Sequence, residues 1–430
     1  MNNFIMKNLL KIFLLKKKIF YIYLIYISFI FLASLIFAFI FSKKFYVSDI
    51  NNNLIIKNIT FGFGNVIDNL YNHNSYFETI DGIKYFLTKL PGIPFFYWTI
   101  LKISKNYFFF VSFKNILIFS LYFFLSHYFS KDFKDSRTFY FLLLIPIIVP
   151  YNFNVSLNYV YEDNLISIFL PLLFLSLISK NNNRIFIIPS ILFILFFVKT
   201  TMFFIVIIVP IVIFFIEKKF NYFLRSLPLV ISFIAILIWG IFGLAKTGKF
   251  PFASSTLTTN SQGLSVVLNK EFANYYPNKS VDLIPVSKIK FKSEWEAFDY
   301  YKKKNKIYFR ENYESYFRDI LLKIKFIFFG IHRDGDTTNE AIKDYPQIRY
   351  SSIISKFLLN LAIIISFFRL NKNIKNLNNC KIEIYFLLII ILNLSPHILA
   401  WATSKHLVGI FNTSLVYLLI LFIEKNKFKT

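Results

Sequence analysis

Long apolar runs separated by short polar stretches dominate the chain. Runs at 19–41, 107–129, 138–152, 164–179, 185–199, 201–216, 226–245, 352–368, 383–402 and 406–423 read as helices. A helix needs about 20 apolar residues to cross the hydrocarbon layer of a bilayer, and most of these runs reach or approach that length. The expected fold is therefore an all-α integral membrane protein with about 10 transmembrane helices and two large external loops. Residues 1–245 form a transmembrane core whose first external loop is 42–106. Residues 246–351 form a second, partly helical external loop, and 352–430 hold the last helices. Run 185–199 is joined to 201–216 by almost nothing, so the two read either as a tight hairpin or as one long bent element.

Polar positions test the hairpin. Short cytoplasmic loops of membrane proteins carry an excess of Lys and Arg. With the N-terminus inside, the ten-helix order puts Lys16, Lys17 and Lys18, then Lys131, Lys134 and Arg137, then Lys180 and Arg184 on one side. Lys218, Lys219 and Arg225, then Arg369, Lys372, Lys375 and Lys381, then Lys425, Lys427 and Lys429 follow on that same side. The short outside turns carry only Lys405 against Glu162 and Asp163. The charge pattern thus favours the hairpin and two cytoplasmic termini. The first run is too long for a signal-peptide core and has no small-residue cleavage site, so it reads as a retained helix.

Two patterns stand out in the long loops. Gly62, Gly64, Pro91, Gly92 and Pro94 mark turns in the first, with 93–103 expected as a helix lying on the surface. In the second, 293–322 reads as a helix along the membrane face, opened by a capping box of Ser293 and Glu296.

Composition agrees and adds constraints. Of 430 residues, 56% are hydrophobic, and the net charge is +26. The basic residues sit between apolar runs, which speaks for membrane lipid as partner and against nucleic acid. Cys380 is the sole cysteine, so an intrachain disulfide and a thiolate metal site are excluded. The histidines show no metal-ligand spacing. Gly-rich phosphate loops are absent too, which argues against a nucleotide site. No internal repeat is evident, which weighs against repeat-built transporters.

Candidate chemistry gathers at the external helix ends. Asp49 follows the first helix. Glu162 and Asp163 precede the fourth, where the helix dipole favours acids in any case. Asp81, before Gly82, reads first as a turn former. Lys199 sits between two apolar runs, where a cation must pair or snorkel. Lys405 and His406 open the last helix, and His397 lies in the one before.

The order of these features resembles the GT-C glycosyltransferases of the bacterial protein-O-mannosyltransferase and aminoarabinose-transferase type. The resemblance is carried by Asp49, by Pro91, Gly92, Pro94 and Tyr97, and by Gly248, Pro251 and Ser255 after the seventh helix. Trp295, Arg310 and Tyr313, and finally Lys405 and His406, complete it. It departs at Ile50, where the family often has a second acid, and at Lys199 and Lys405, where it often has Arg. The departure at the cations changes geometry, since Lys offers a point charge in place of a planar fork.

The resemblance implies an enzyme of the bacterial inner membrane that takes a sugar from a polyprenyl-phosphate carrier. It implies a hydroxyl acceptor on a glycolipid, lipid-linked glycan or protein at the outer face. Asp49 would act as general base. Lys199, Lys405 and His406 would hold the donor phosphate, and Glu162, Asp163 and Asp81 the acceptor or a cation. Asp49 with Glu162 or Asp163 could hold a divalent cation through oxygen ligands, though nothing in the sequence demands one. The rival readings are a polysaccharide polymerase or ligase and a lipid or glycan transporter.

Overall fold

A computed structural model describes residues 2–42, 54–56, 63–80, 82–133, 137–157, 162–252, 291–311, 313–330, 346–373, 380–399 and 404–426. In chain order the helices are α1 (Asn2–Ser42), α2 (Phe63–His73), α3 (Gly92–Ile103), α4 (Tyr107–Ser130), α5 (Arg137–Leu144), α6 (Pro150–Leu157), α7 (Asp163–Ile178) and α8 (Arg184–Val198). They continue as α9 (Phe203–Ile216), α10 (Tyr222–Thr247), α11 (Glu294–Glu311), α12 (Tyr313–Phe329), α13 (Pro346–Tyr350), α14 (Ser352–Asn373), α15 (Lys381–Leu399) and α16 (Val408–Asn426). Between α2 and α3 lies a hairpin of β1 (Glu78–Ile80) and β2 (Ile83–Tyr85), paired antiparallel with Thr79 opposite Lys84.

Five of the described helices are long and apolar enough to cross a membrane, within α1, α4, α10, α14 and α15. Four more apolar helices are shorter: α7, α8, α9 with the 3-10 turn before it, and α16. The burial pattern says the same. Phe20, Ile25, Phe39, Phe233, Ile241, Phe357 and Phe368 face outward, each more than half exposed. An apolar surface of that extent suits lipid, not water. Helix packing runs α1 against α4, α7 against α8 and α16, and α10 against both α8 and α9.

The tight junction at Lys199 is a true hairpin. Lys199 is extended (φ −148°, ψ 130°), and Thr200–Met202 form one 3-10 turn that starts α9. At the opposite end of the pair, Arg184 of α8 donates to Glu217, just past α9, at 2.5 Å. One long element would hold those two residues far apart. Both are almost wholly buried, and Lys381 (2.7 Å) and the Tyr385 hydroxyl (2.9 Å) join the same carboxylate. Asp132, after α4, accepts from Ser179 and from the Lys180 amide, after α7. Arg369 of α14 pairs with Glu383 of α15. The basic connections thus meet on one face of the bundle, as their charge suggested.

One sequence expectation changes, and another is met by helix on both sides of a residue outside the described set. The third run, 138–152, is not one helix but α5 and α6, joined by turns at 145–149. Pro146 and Pro150 bracket that turn: proline lacks the amide proton a helix interior needs and clashes with the preceding turn. The chain resumes at Pro150 because proline suits a first helical position, and α6 then extends past the expected end to Leu157. The helix expected over 293–322 is assigned as α11 and α12, with residue 312 between them outside the described set. Ser293 caps α11 by accepting from the Glu296 amide, while Glu296 reaches back to the Lys292 amide.

Buried polar groups tie the bundle together. Asn152 of α6 donates to Asn412 of α16, and Asn412 donates to the Ser167 carbonyl of α7 (both 2.9 Å). Ser355 of α14 donates to Asn152. Lys114 and Asn115 of α4 both donate to the carbonyl of Leu157, the last residue of α6. A helix end without such a partner would leave orphaned carbonyls in an apolar interior.

Candidate functional site

The face opposite the basic connections holds a compact cluster of ionisable side chains. It is built from three helix ends. Asp163 is the first residue of α7, Lys199 follows α8, and His406 lies in the 3-10 turn Ser404–Leu407 that leads into α16. The Lys199 ammonium donates to Asp163 Oδ1. His406 Nδ1 lies 2.8 Å from Asp163 Oδ2 and 2.9 Å from Lys199 Nζ. Glu162 stands just outside this contact, 3.9 Å from Lys199 Nζ. His397 of α15 stacks its ring on His406, with centroids 5.2 Å apart and planes 11° from parallel.

Asp163 is 1% exposed and Lys199 6%. Neither charge is tolerable alone at such burial, and the pair offsets much of that cost. Neither acid works as a side-chain cap, since Glu162 at the cap position of α7 makes no side-chain capping bond. Asp163 is committed instead to Lys199 and His406.

The triangle serves two histidine tautomers. With the proton on Nδ1, His406 donates to Asp163 and leaves Nε2 as an acceptor. With the proton on Nε2, Nδ1 accepts from Lys199. A histidine so placed can pass a proton or, doubly protonated, add a positive charge. Lys199 and Asp163 cancel, so the charge of the cluster is set by Glu162 and by the state of His406.

Close backbone packing holds the three ends together. A Cβ at Gly92, the first residue of α3, would lie 2.6 Å from the Phe197 carbonyl oxygen near the end of α8. A Cβ at Gly409, three residues after His406, would lie 2.9 Å from Ile166 Cγ2 on α7. Only glycine permits both approaches. Tyr97 of α3 is fully buried, and its hydroxyl makes no hydrogen bond among the described residues. Burial, and then the Glu162 carboxylate, raise its phenol well above the usual range.

An open apolar groove of about 580 Å³ lies beside the cluster. Phe95, Phe96, Phe169, Phe193 and Phe197 line it, with Leu165, two residues from Asp163, and Val198, the neighbour of Lys199. Its walls offer almost nothing polar.

Of the candidates named from sequence, the structure brings together Glu162, Asp163, Lys199 and His406. Asp49 and Asp81 lie outside the described residues, as does the side chain of Lys405. Sequence reasoning assigned Asp163 and Lys199 to different ligands; in the fold they bind each other. Among the described residues, no group of three or more His, Cys, Asp or Glu could hold a metal ion. A second cleft, lined by Lys84, Lys246 and aromatic rings, had no signal in the sequence beyond individual aromatic and basic positions.

No family model, no curated protein and no solved structure matches the chain.

Proposed function

We propose that this membrane protein is an inverting glycosyltransferase of the GT-C kind, transferring a sugar from a polyprenyl-phosphate carrier to a hydroxyl acceptor. The observation that carries the reading is a buried Asp163–Lys199–His406 cluster set beside an open apolar groove, on the face opposite the basic connections. A polyprenyl chain is a long hydrocarbon, and the groove offers it a wall with almost no polar groups. Its phosphate then meets a lysine and a histidine at the groove's edge. The orientation with the cluster outside follows from the positive-inside pattern.

In the proposed reaction the acceptor oxygen forms a bond to the anomeric carbon as its proton passes to a carboxylate. The bond from that carbon to the phosphate oxygen breaks on the opposite side, which inverts the centre. The departing lipid phosphate gains negative charge, so cations stabilise it better than a protonating acid would. Lys199, His406 and Lys405 take that role, with Asp163 keeping Lys199 and His406 in place. Asp49 keeps its sequence-based assignment as general base.

The test is a reconstitution. The full chain in liposomes, given polyprenyl-phosphate hexoses and an extract of envelope glycolipids, is expected to form a glycosylated product seen by mass spectrometry. An Asp49→Asn variant of unchanged fold is expected to lose at least a hundredfold in rate. Normal transfer by that variant would remove Asp49 from the mechanism. Movement of lipid across the vesicle with no glycosidic bond formed would instead make the protein a transporter.

A further inference from the structure

A second cleft lies on the other side of Phe95 from the apolar groove. Phe95 lines both, so one ring of α3 borders an almost wholly apolar groove and a cleft of mixed polar and apolar walls. The second has a volume of about 510 Å³ and is enclosed by α2, the β-hairpin, α3 and the end of α10.

Its chemistry is specific. Tyr76 and Phe95 stack face to face, with centroids 5.8 Å apart and planes 9° from parallel. Trp98 stands edge-on to Phe95, and Phe242 edge-on to Tyr76. Among the described residues, the Trp98 indole nitrogen has no hydrogen-bond acceptor. Lys84 and Lys246 are the charged residues of the lining, and both are exposed. Both ammonium groups lie over rings, Lys84 over Phe77 at 4.7 Å and Lys246 over Phe86 at 6.0 Å.

Among the described residues, two acids near this cleft hold other partners. Glu78 accepts from Thr88, and Glu294 accepts from the amides of Phe86 and Leu87. Asn74, in the same wall, holds a left-handed backbone (φ 51°), a conformation uncommon for any residue but glycine.

The geometry points to this cleft as a binding site for an anionic saccharide, one bearing a phosphate or carboxylate. Aromatic faces pack against the C–H surfaces of a sugar ring, and the lysines take the charge. A cleft of this size holds a ligand of one or two sugar rings. Long apolar tails do not fit the chemistry of this side of Phe95; they fit the other. That the saccharide is the acceptor of the transfer rests on the proposed function. That the cleft binds it does not.

The test uses the full chain in phosphatidylcholine nanodiscs, with binding read by calorimetry. Three probes separate the contributions: glucose 1-phosphate, methyl glucoside and inorganic phosphate. Glucose 1-phosphate is expected to bind at least tenfold more tightly than either other probe. The Lys84→Gln, Lys246→Gln double variant is expected to weaken it tenfold or more, as is Trp98→Leu. Asp163→Asn is expected to leave its affinity within twofold, while transfer falls.

Equal affinity for the three probes would overturn the proposal. So would lysine variants that bind normally. If phosphatidylglycerol nanodiscs abolish the binding, the lysines receive lipid headgroups and the saccharide assignment is wrong. Loss of transfer with intact binding overturns only the enzymatic reading, and intact transfer without binding overturns only this one.

Discussion

Removing Lys199 and Asp163 separately and together tests whether the cluster is one coupled unit. Lys199→Met leaves the Asp163 carboxylate buried at 1% exposure with His406 as its remaining polar contact among the described residues. Breaking a buried ion pair from one side typically costs about 3–5 kcal/mol, because the charge left behind has lost both water and partner. Asp163→Leu leaves the ammonium, but Glu162 already stands 3.9 Å from it, so that loss falls at or below the low end of the range. With both replaced by apolar residues, no orphaned charge remains, and the double variant is expected to lose no more than Lys199→Met alone. The coupling energy is therefore about 2–3 kcal/mol, at the upper end for residues in contact. Reversible unfolding in mixed micelles, followed by tryptophan fluorescence as the SDS fraction rises, measures all four corners of the cycle. If the two single losses simply add to within about 0.5 kcal/mol, the residues are independent and the picture of one cluster is wrong.

Three further outcomes are expected. Gly92→Ala forces backbone apart at the end of α8, since the nearest atoms to the new methyl are Phe197 O and C and Val198 N; a loss of about 1–3 kcal/mol is expected from overpacking, with lower transfer activity, and an unchanged unfolding midpoint would refute the close approach. Burial raises the Glu78 carboxyl above its usual value, so the folded state holds its proton more tightly than the unfolded chain and ionisation weakens the fold as pH rises. Glu78→Gln, which can still accept from Thr88, is expected to unfold at a higher temperature than the parent at pH 7, and the gap should close below pH 4.5; a gap that widens in acid would refute it. For topology, single cysteines placed in a Cys380→Ser background are expected to react with an impermeant maleimide from one side at Asn182 and Lys218 and from the other at Asn74 and Phe252, and labelling of all four from one side would break the two-face arrangement.

The long helices were legible because hydrocarbon thickness imposes a length, and the runs at 107–129 and 226–245 carry it openly. The Lys199 turn was legible through charge: an inverted order would have put basic loops on both sides. The break between α5 and α6 was written in Pro146 and Pro150, yet the apolar run around them concealed it. In the site, each of Glu162, Asp163, Lys199 and His406 could be singled out for its position at a helix end. Their mutual pairing could not, because Asp163 and Lys199 are 36 residues apart and Lys199 and His406 are 207 apart. Nor could the clamp of Arg184, Glu217 and Lys381, of which Arg184 and Lys381 read simply as loop charges and Glu217 drew no reading. Contacts of that span depend on how helices cross, which local periodicity does not encode.

The shortness of α7 and α8 sets a depth. Sixteen and fifteen residues rise about 24 and 22 Å at 1.5 Å per residue, against a hydrocarbon layer of about 30 Å. If the Arg184 end rests at one boundary, the Lys199 end stops about 6–8 Å short of the other. Asp163, Lys199 and His406 then lie at the bottom of a dimple, below the plane of the surrounding headgroups. On the proposed function, a lipid phosphate would have to sink below its own leaflet level to reach them, with its chain in the groove alongside. The acceptor hydroxyl, on that same proposal, would have to come down to the same level from the external side. Asp163 and Lys199 are 1% and 6% exposed, so the charges there act on each other at a strength that the open surface would screen away.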